Sequence, residues 1–343
     1  MSALRPRNIR LTRPRAAGQP DVAGARRWRG AYLFVLPAIV IFALFYLYPA
    51  LNTLLSSFFR WSVLRPWQLF DPSTWRFAGL ENYTTVLSDG RFWNAALNTA
   101  VWLIVFPLAA TCFSLMIALL IWHARVGQRL FRSIFVMPMT VSLTAAAVLW
   151  ALVYNPDFGV LTAAAQGLGI HGAELNLGPL RLQVGDWLSD FGTLDLGFAQ
   201  LSLVNMTVIA PAFWALTGFG VISFTAGLTS LETEQVEAAK VEGANTLQVV
   251  RHVIIPSLRN SMIIVGVVFV IYALRTFDVV WVTTGGGPGT DTEVVAVLLW
   301  REALAFFDTP SAGEATAIAF MLSAVMILGA YPYLRRLLRE AER

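Results

Sequence analysis

Lysine occurs once in the 343 residues, cysteine once and histidine three times, and charged residues make up only 13% of the chain. Each shortage closes off a class of function. The lone Lys240 is preceded by Ala, and no Gly-Lys-Ser or Gly-Lys-Thr occurs, so the chain carries no phosphate-binding loop and any ATPase must be another subunit. Cys112 alone forms no internal disulfide and no thiolate cluster. His123, His171 and His252 are too far apart to suggest a histidine-ligated metal. We find no paired acids and no nucleophile beside a base, so an enzyme is not expected, nor a cofactor. A net charge of +4 is too small to argue for a nucleic-acid partner.

What the chain has in abundance is apolar sequence: 57% of residues are hydrophobic and the mean hydropathy is +0.62. That is too apolar for a soluble domain and describes a multispanning membrane protein. Six apolar segments, at 31–55, 95–122, 130–153, 201–228, 260–283 and 313–334, are each near or above the roughly 20 residues needed to cross a bilayer. Placing the N-terminus inside leaves 18 basic residues in the tails and inner loops, eight of them Arg within residues 1–29, against six in the outer loops. This asymmetry sets the orientation, with both termini cytoplasmic. The expected division is a basic cytoplasmic tail (1–29), a first transmembrane helix (30–60), an extracytoplasmic loop (61–94), a core domain (95–335) and a cytoplasmic tail (336–343). The core contains an extracytoplasmic loop at 155–200 and a cytoplasmic loop at 230–259.

That inner loop is the most informative polar passage. Glu232, Glu234 and Glu237 load the start of a helix with negative charge, and Gly243 supplies a turn. Asn245 with Gln248 three residues later forms a capping box for a second helix, whose Leu247, Val250 and Ile254 share a face and which Pro256 limits. The spacing is Glu237-Ala238-Ala239, three residues, Gly243, nine residues, Val253, then Ile255-Pro256. It resembles the EAA loop of the permease subunits of bacterial ABC importers, with Val253 and Ile255 standing where that motif has Ile and Leu.

The resemblance covers about residues 30–335. Phe92-Trp93 to Asn98-Thr99, then Pro138, Ser142 and Trp150, then Phe277-Asp278 and the Thr284-Gly285-Gly286-Gly287-Pro288 turn, look similar to carbohydrate permeases of the maltose, alpha-glucoside and glycerol-3-phosphate type. It implies an all-α integral membrane protein with the ABC importer type I permease fold, six transmembrane helices and a cytoplasmic coupling helix. It also implies the bacterial inner membrane as location and a sugar as substrate, an oligosaccharide or alpha-glucoside. The implied partners are a second permease subunit, two ATP-binding subunits and an extracytoplasmic sugar-binding protein. Glu237, Ala238, Ala239, Gly243 and Pro256 would then couple the chain to the ATPase.

Apart from Arg132 and Glu314 at segment ends, two charges stand inside the apolar segments, Arg275 and Asp278, three apart and therefore on one face of a continuous helix. Charges within a span are costly and mark a pathway or a pair. By resemblance, the sugar-contacting positions fall on Phe269, Ala273, Thr276 and Asp278, with Phe219 on the preceding span. Chemistry adds Tyr272, since a phenol, a hydroxyl and a carboxylate together suit a sugar. The expected path is therefore Phe219, Tyr272, Thr276 and Asp278. An ion-coupled secondary transporter is the alternative, but beyond Arg275 and Asp278 the spans offer it almost no titratable groups.

Overall fold

Within a bilayer, a long apolar run can satisfy its backbone polar groups internally only by coiling into a helix. The computed structural model describes residues 22–124, 126–195, 197, 200–231, 233–304 and 312–341, and helices dominate it. The described chain falls into two units, one ending at Asn52 and the other starting at Thr53. The first contains most of helix α1 (Tyr32–Ser56), which passes through a π-helical turn at Ala43–Leu47 and exposes every side chain from Tyr32 to Phe42.

In the second unit, a short helix α2 (Glu81–Ser88) leads into α3 (Gly90–His123), the longest apolar helix. Its main neighbour is α7 (Val204–Thr229). Asn205 Nδ2 donates to Asn98 Oδ1 at 3.1 Å near the start of both helices, and Ser114 Oγ donates to the Thr217 carbonyl at 3.0 Å further along both. The two helices are therefore parallel. Lipid tails are as apolar as the side chains of these helices, so close packing, more than escape from water, holds such a pair together. Gly220 shows how close the approach is, for a Cβ there would lie 2.4 Å from Ser114 Oγ. The core between them contains Trp102, Phe106, Val208, Ala212 and Phe224, with Val265 and Phe269 added from α10 (Arg259–Leu274). Leu258 and Ser261 approach Gly227, whereas Phe269 meets Phe219, so α10 runs antiparallel to α7.

Because α3 and α7 are parallel, the chain between them must return to the end from which α3 started. The return is bent. Helix α4 (Gln128–Val136) continues into a 3-10 turn at Met137–Thr140 and meets α5 (Leu143–Val153) at 100°. The 11 residues of α5 rise only about 16 Å, roughly half the hydrocarbon thickness. Segment 130–153 is thus a bent pair and not the straight span its hydropathy implies. Among the described residues, three helices are long and apolar enough to cross a membrane singly, two bent pairs reach that length together, and Ala312–Leu328 is a shorter apolar stretch of α13 (Ala312–Ala341).

The all-α expectation also needs correcting. After α6 (Val160–Gly167) the chain forms a four-stranded antiparallel meander in the order β1 (Glu174–Leu177), β2 (Leu180–Gln183), β3 (Gly192–Asp195) and β4 (Gln200–Ser202). The strands are only three or four residues long and contain Leu where strand signals rest on β-branched and aromatic residues, so they give little warning in the sequence. The Leu203 amide donates to the Gly192 carbonyl at 2.8 Å, and Thr207 Oγ1 to the Trp187 carbonyl at 2.8 Å, which seats the sheet against the first turn of α7.

Candidate functional site: a helical hairpin and a cleft at a broken helix

The inner loop forms a helical hairpin at the end of α7 opposite the sheet. Helix α8 (Thr233–Val241) carries Glu237, Ala238 and Ala239, and helix α9 (Thr246–Ser257) follows, with a π-helical stretch at Val250–Ile254. Gly243 sits between them at φ +90°, a conformation that L side chains rarely adopt. The expected capping box is present: the Asn245 amide donates to Gln248 Oε1 at 2.8 Å and the Gln248 amide to Asn245 Oδ1 at 2.9 Å. Val236, Val249, Ile254 and Leu258 are buried and anchor the hairpin on the core.

Two details differ from the sequence reading. Leu247 does not share the buried face of Ile254, because the π-helical stretch shifts the register between them, and it is 75% exposed. Pro256 does not end α9. The helix runs to Ser257 and bends by 71° at Leu258 into α10, and Pro256 near the start of a new α-helical turn needs no backbone donor. The outer surface of the hairpin presents Glu237, Ala238, Val241 at 87% exposure, Gly243 and Leu247. An exposed valine and leucine flank the glycine turn.

The second feature is a break. Helix α10 stops at Leu274 and α11 (Asp278–Thr283) starts four residues later, with Arg275 to Phe277 between them outside any helix. The expected shared helix face of Arg275 and Asp278 therefore does not exist, and no ion pair joins the two charges. The break nevertheless gathers three of the expected path residues. Tyr272, Thr276 and Asp278 line one cleft of about 390 Å³, together with Arg275 and with Trp102 and Phe106 from α3. Phe219 is not part of its lining. It packs edge-on against the fully buried Phe269 at 6.2 Å, which in turn meets the cleft residue Phe106, and Ala273 is also buried.

A third constellation was not foreseen from the sequence. The Thr284 to Glu293 loop between α11 and α12 (Val295–Leu304) is clamped to the start of α3. Glu293 is 0% exposed and receives Arg91 Nε at 2.7 Å, Arg91 Nη2 at 2.9 Å and Arg301 Nη1 at 3.0 Å. Asn98 Nδ2 donates to the Glu293 carbonyl at 3.0 Å, Asn94 Nδ2 to the Thr290 carbonyl at 2.8 Å, and the Val295 amide to Thr99 Oγ1 at 3.0 Å. Arg91 also lies 3.7 Å from Glu302, whose carboxyl burial pushes above its ordinary range while Arg91 pulls it down. No local pattern signals a pairing 202 residues apart. The available hint was that Arg91 and Arg301 stood on the side where arginine is scarce.

Residues 110–340 match the family model of the binding-protein-dependent transport system inner membrane component. Over 302 residues the chain is 28% identical to a probable ABC transporter permease protein of Pyrococcus horikoshii, covering 88% of this chain and 93% of that one. It is 28% identical to the osmoprotective compounds uptake permease protein GgtC of Synechocystis sp., covering 86% and 94%. It is 28% identical to the xylose/arabinose import permease protein XacH of Haloferax volcanii, covering 74% and 73%. A chain of a bacterial ABC transporter involved in the import of the acidic polysaccharide alginate shares the fold, with a TM-score of 0.69 at 19% identity over 92% of this chain and 98% of that one.

Proposed function

The chain belongs to the family of binding-protein-dependent transport system inner membrane components, and on that premise we propose that it is the permease subunit of a sugar importer in which hairpin and cleft divide the work. As an ABC permease it is not itself an enzyme, and ATP hydrolysis belongs to separate subunits. That assignment replaces the ion-coupled alternative. The hairpin is the coupling helix. Glu237, Ala238, Ala239, Val241, Gly243 and Leu247 form the surface that docks in a groove of an ATP-binding subunit, and Pro256 belongs to the stem. Anchored by Val236, Val249 and Ile254, the hairpin moves as a unit, so ATP-driven closure of two ATPases becomes rotation of α7 and α10.

The substrate is a sugar, an oligosaccharide or alpha-glucoside, passed along the cleft by Tyr272, Thr276 and Asp278. Phe219 supports the cleft from behind. The observation that carries this reading is that Thr276 and Asp278, expected from the resemblance, and Tyr272, added for its chemistry, line a single cavity at a helix break. Sugar-related names among the relatives support it, as does a solved alginate transporter in complex with a periplasmic protein carrying an alginate pentasaccharide. By the same reasoning the partners are a second permease, two ATPases and an extracytoplasmic binding protein seated over the 61–94 and 155–200 regions. Asp278→Asn and Thr276→Val are expected to raise the sugar concentration for half-maximal uptake about tenfold, the equivalent of one lost hydrogen bond to a charged group or its near equal. Complex assembly should not change. Uptake with wild-type rate and preference in both variants removes the path from this face.

Topology completes the proposal: six crossings, the hairpin cytoplasmic, the sheet outside and both termini inside, within the domain division at 29, 60, 94 and 335. The parallel course of α3 and α7 and the antiparallel course of α10 support it. In a Cys112→Ser background, single cysteines at Ser73, Asn176 and Thr290 should react with an impermeant thiol reagent in intact cells. One at Asn245 should react only after lysis. Labelling of Asn245 in sealed cells inverts the arrangement.

A further inference from the structure

The cleft holds more polar capacity than Tyr272, Thr276 and Asp278 provide. Arg275 is the C-cap of the 16-residue α10, a position at which the helix dipole favours a cation, and it lines the cleft. No carboxylate lies within 4.0 Å of it among the described residues, so its guanidinium donors are open. Asp278 likewise has no cation within that distance among them. Trp102 is 1% exposed, lines the cleft, and its indole N–H has no hydrogen-bond partner. Leaving such a donor unpaired costs about 1–3 kcal/mol, so one buried in the wall of a cavity marks a place for an acceptor.

Taken together, the cleft presents a donor-only cation, an acceptor-only anion, a donor-only indole, and two hydroxyls that act both ways. A sugar hydroxyl is donor and acceptor at once, so a polyol can satisfy the guanidinium and the carboxylate together. A carboxylated sugar would satisfy Arg275 but bring a like charge towards Asp278, and an amino sugar would do the converse. We propose that Arg275 and Trp102 are specificity-determining residues of this cleft and that, set against Asp278, they select uncharged polyhydroxylated saccharides. This rests on the cleft being the sugar path.

The test measures retention of radiolabelled saccharides by the purified complex trapped with vanadate. The neutral probes are maltotriose, trehalose and xylobiose, and the acidic probe is trigalacturonate. The wild type should retain at least one neutral probe about tenfold better than trigalacturonate. Arg275→Gln and Trp102→Phe should each weaken that retention about tenfold with the complex intact, and Asp278→Asn should narrow the neutral-over-acidic preference by a similar factor. Retention of no neutral probe, or of trigalacturonate as well as any neutral one, overturns the proposal. If Arg275→Gln and Trp102→Phe bind normally while Thr276→Val does not, the selectivity fails and the path stands. If Thr276→Val is also normal, the path itself fails.

Discussion

Replacing Glu293 with alanine should cost more folded complex than any other single change outside the core. The carboxylate is fully buried and receives two arginines, and its removal takes away the anion that Arg91 and Arg301 share, leaving Arg91 only the longer contact to Glu302 at 3.7 Å. Breaking a buried pair from one side costs about 3–5 kcal/mol, and the partial exposure of both arginines puts the expected loss near the lower end of that range. The clamp also holds the Thr284–Glu293 loop on α3, so its loss should be felt in assembly before it is felt in transport. Yield of monodisperse detergent-solubilised complex and its thermal midpoint are the readouts. Glu293→Gln, which keeps shape and some hydrogen bonding, should fall between alanine and wild type. Arg60→Ala breaks an exposed ion pair with Glu81 and should change little. Wild-type yield and midpoint in Glu293→Ala would show that the clamp does not hold the fold.

The second large effect is expected at the hairpin. Gly243→Pro forces φ near −65° where the chain holds +90°, and Glu237→Lys reverses a charge on the outer face. Both should leave the spans inserted and reduce binding-protein-stimulated ATP hydrolysis and uptake about tenfold or more, the loss of roughly 1.4 kcal/mol of docking energy. Leu247→Asp is the sharper variant, because that side chain is exposed and contributes nothing to the fold of this chain. If the hairpin were only a surface loop, aspartate there would be harmless. If it docks in an apolar groove, the buried carboxylate would abolish coupling. Normal stimulated hydrolysis in Leu247→Asp together with Glu237→Lys would sink the coupling role.

Local chemistry was legible in the sequence. The Asn245–Gln248 box and the turn at Gly243 rest on interactions within a few residues, and the structure has them where the spacing puts them. What was lost depended on partners distant in sequence or on breaks without a marker. Arg275 to Phe277 contain no proline or glycine, so nothing announces that α10 stops there, and a continuous helix was the natural but mistaken reading. The 100° bend at Val141–Ser142, by contrast, has markers in Pro138, within the 3-10 turn before it, and in Ser142, which caps the second helix by accepting from the Ala145 amide. Arginines counted only as a topological bias turned out to be Glu293's ligands, because charge statistics carry no information about which residue a guanidinium meets. In the cleft, Thr276 and Asp278 follow from the resemblance and Tyr272 from its chemistry, whereas nothing in the sequence singles out Trp102 and its unpaired indole.

The parallel pairing of α3 with α7 also bears on the order in which the protein is made. Asn98 meets Asn205 107 residues later, and the Glu293 carbonyl it also binds comes 195 residues later. At a synthesis rate of about 5–20 residues per second, α3 waits roughly 5–20 s for its first partner and about twice that for its second. Until Asn205 and Thr217 have been made, a helix bearing Arg91, Asn94, Asn98 and Ser114 has none of its long-range polar contacts, and Arg91 and Asn94 wait on for the Thr290–Glu293 loop. The nascent chain must therefore lean on the insertion machinery until its last third has emerged, and the clamp at Glu293 is the contact that ends the wait.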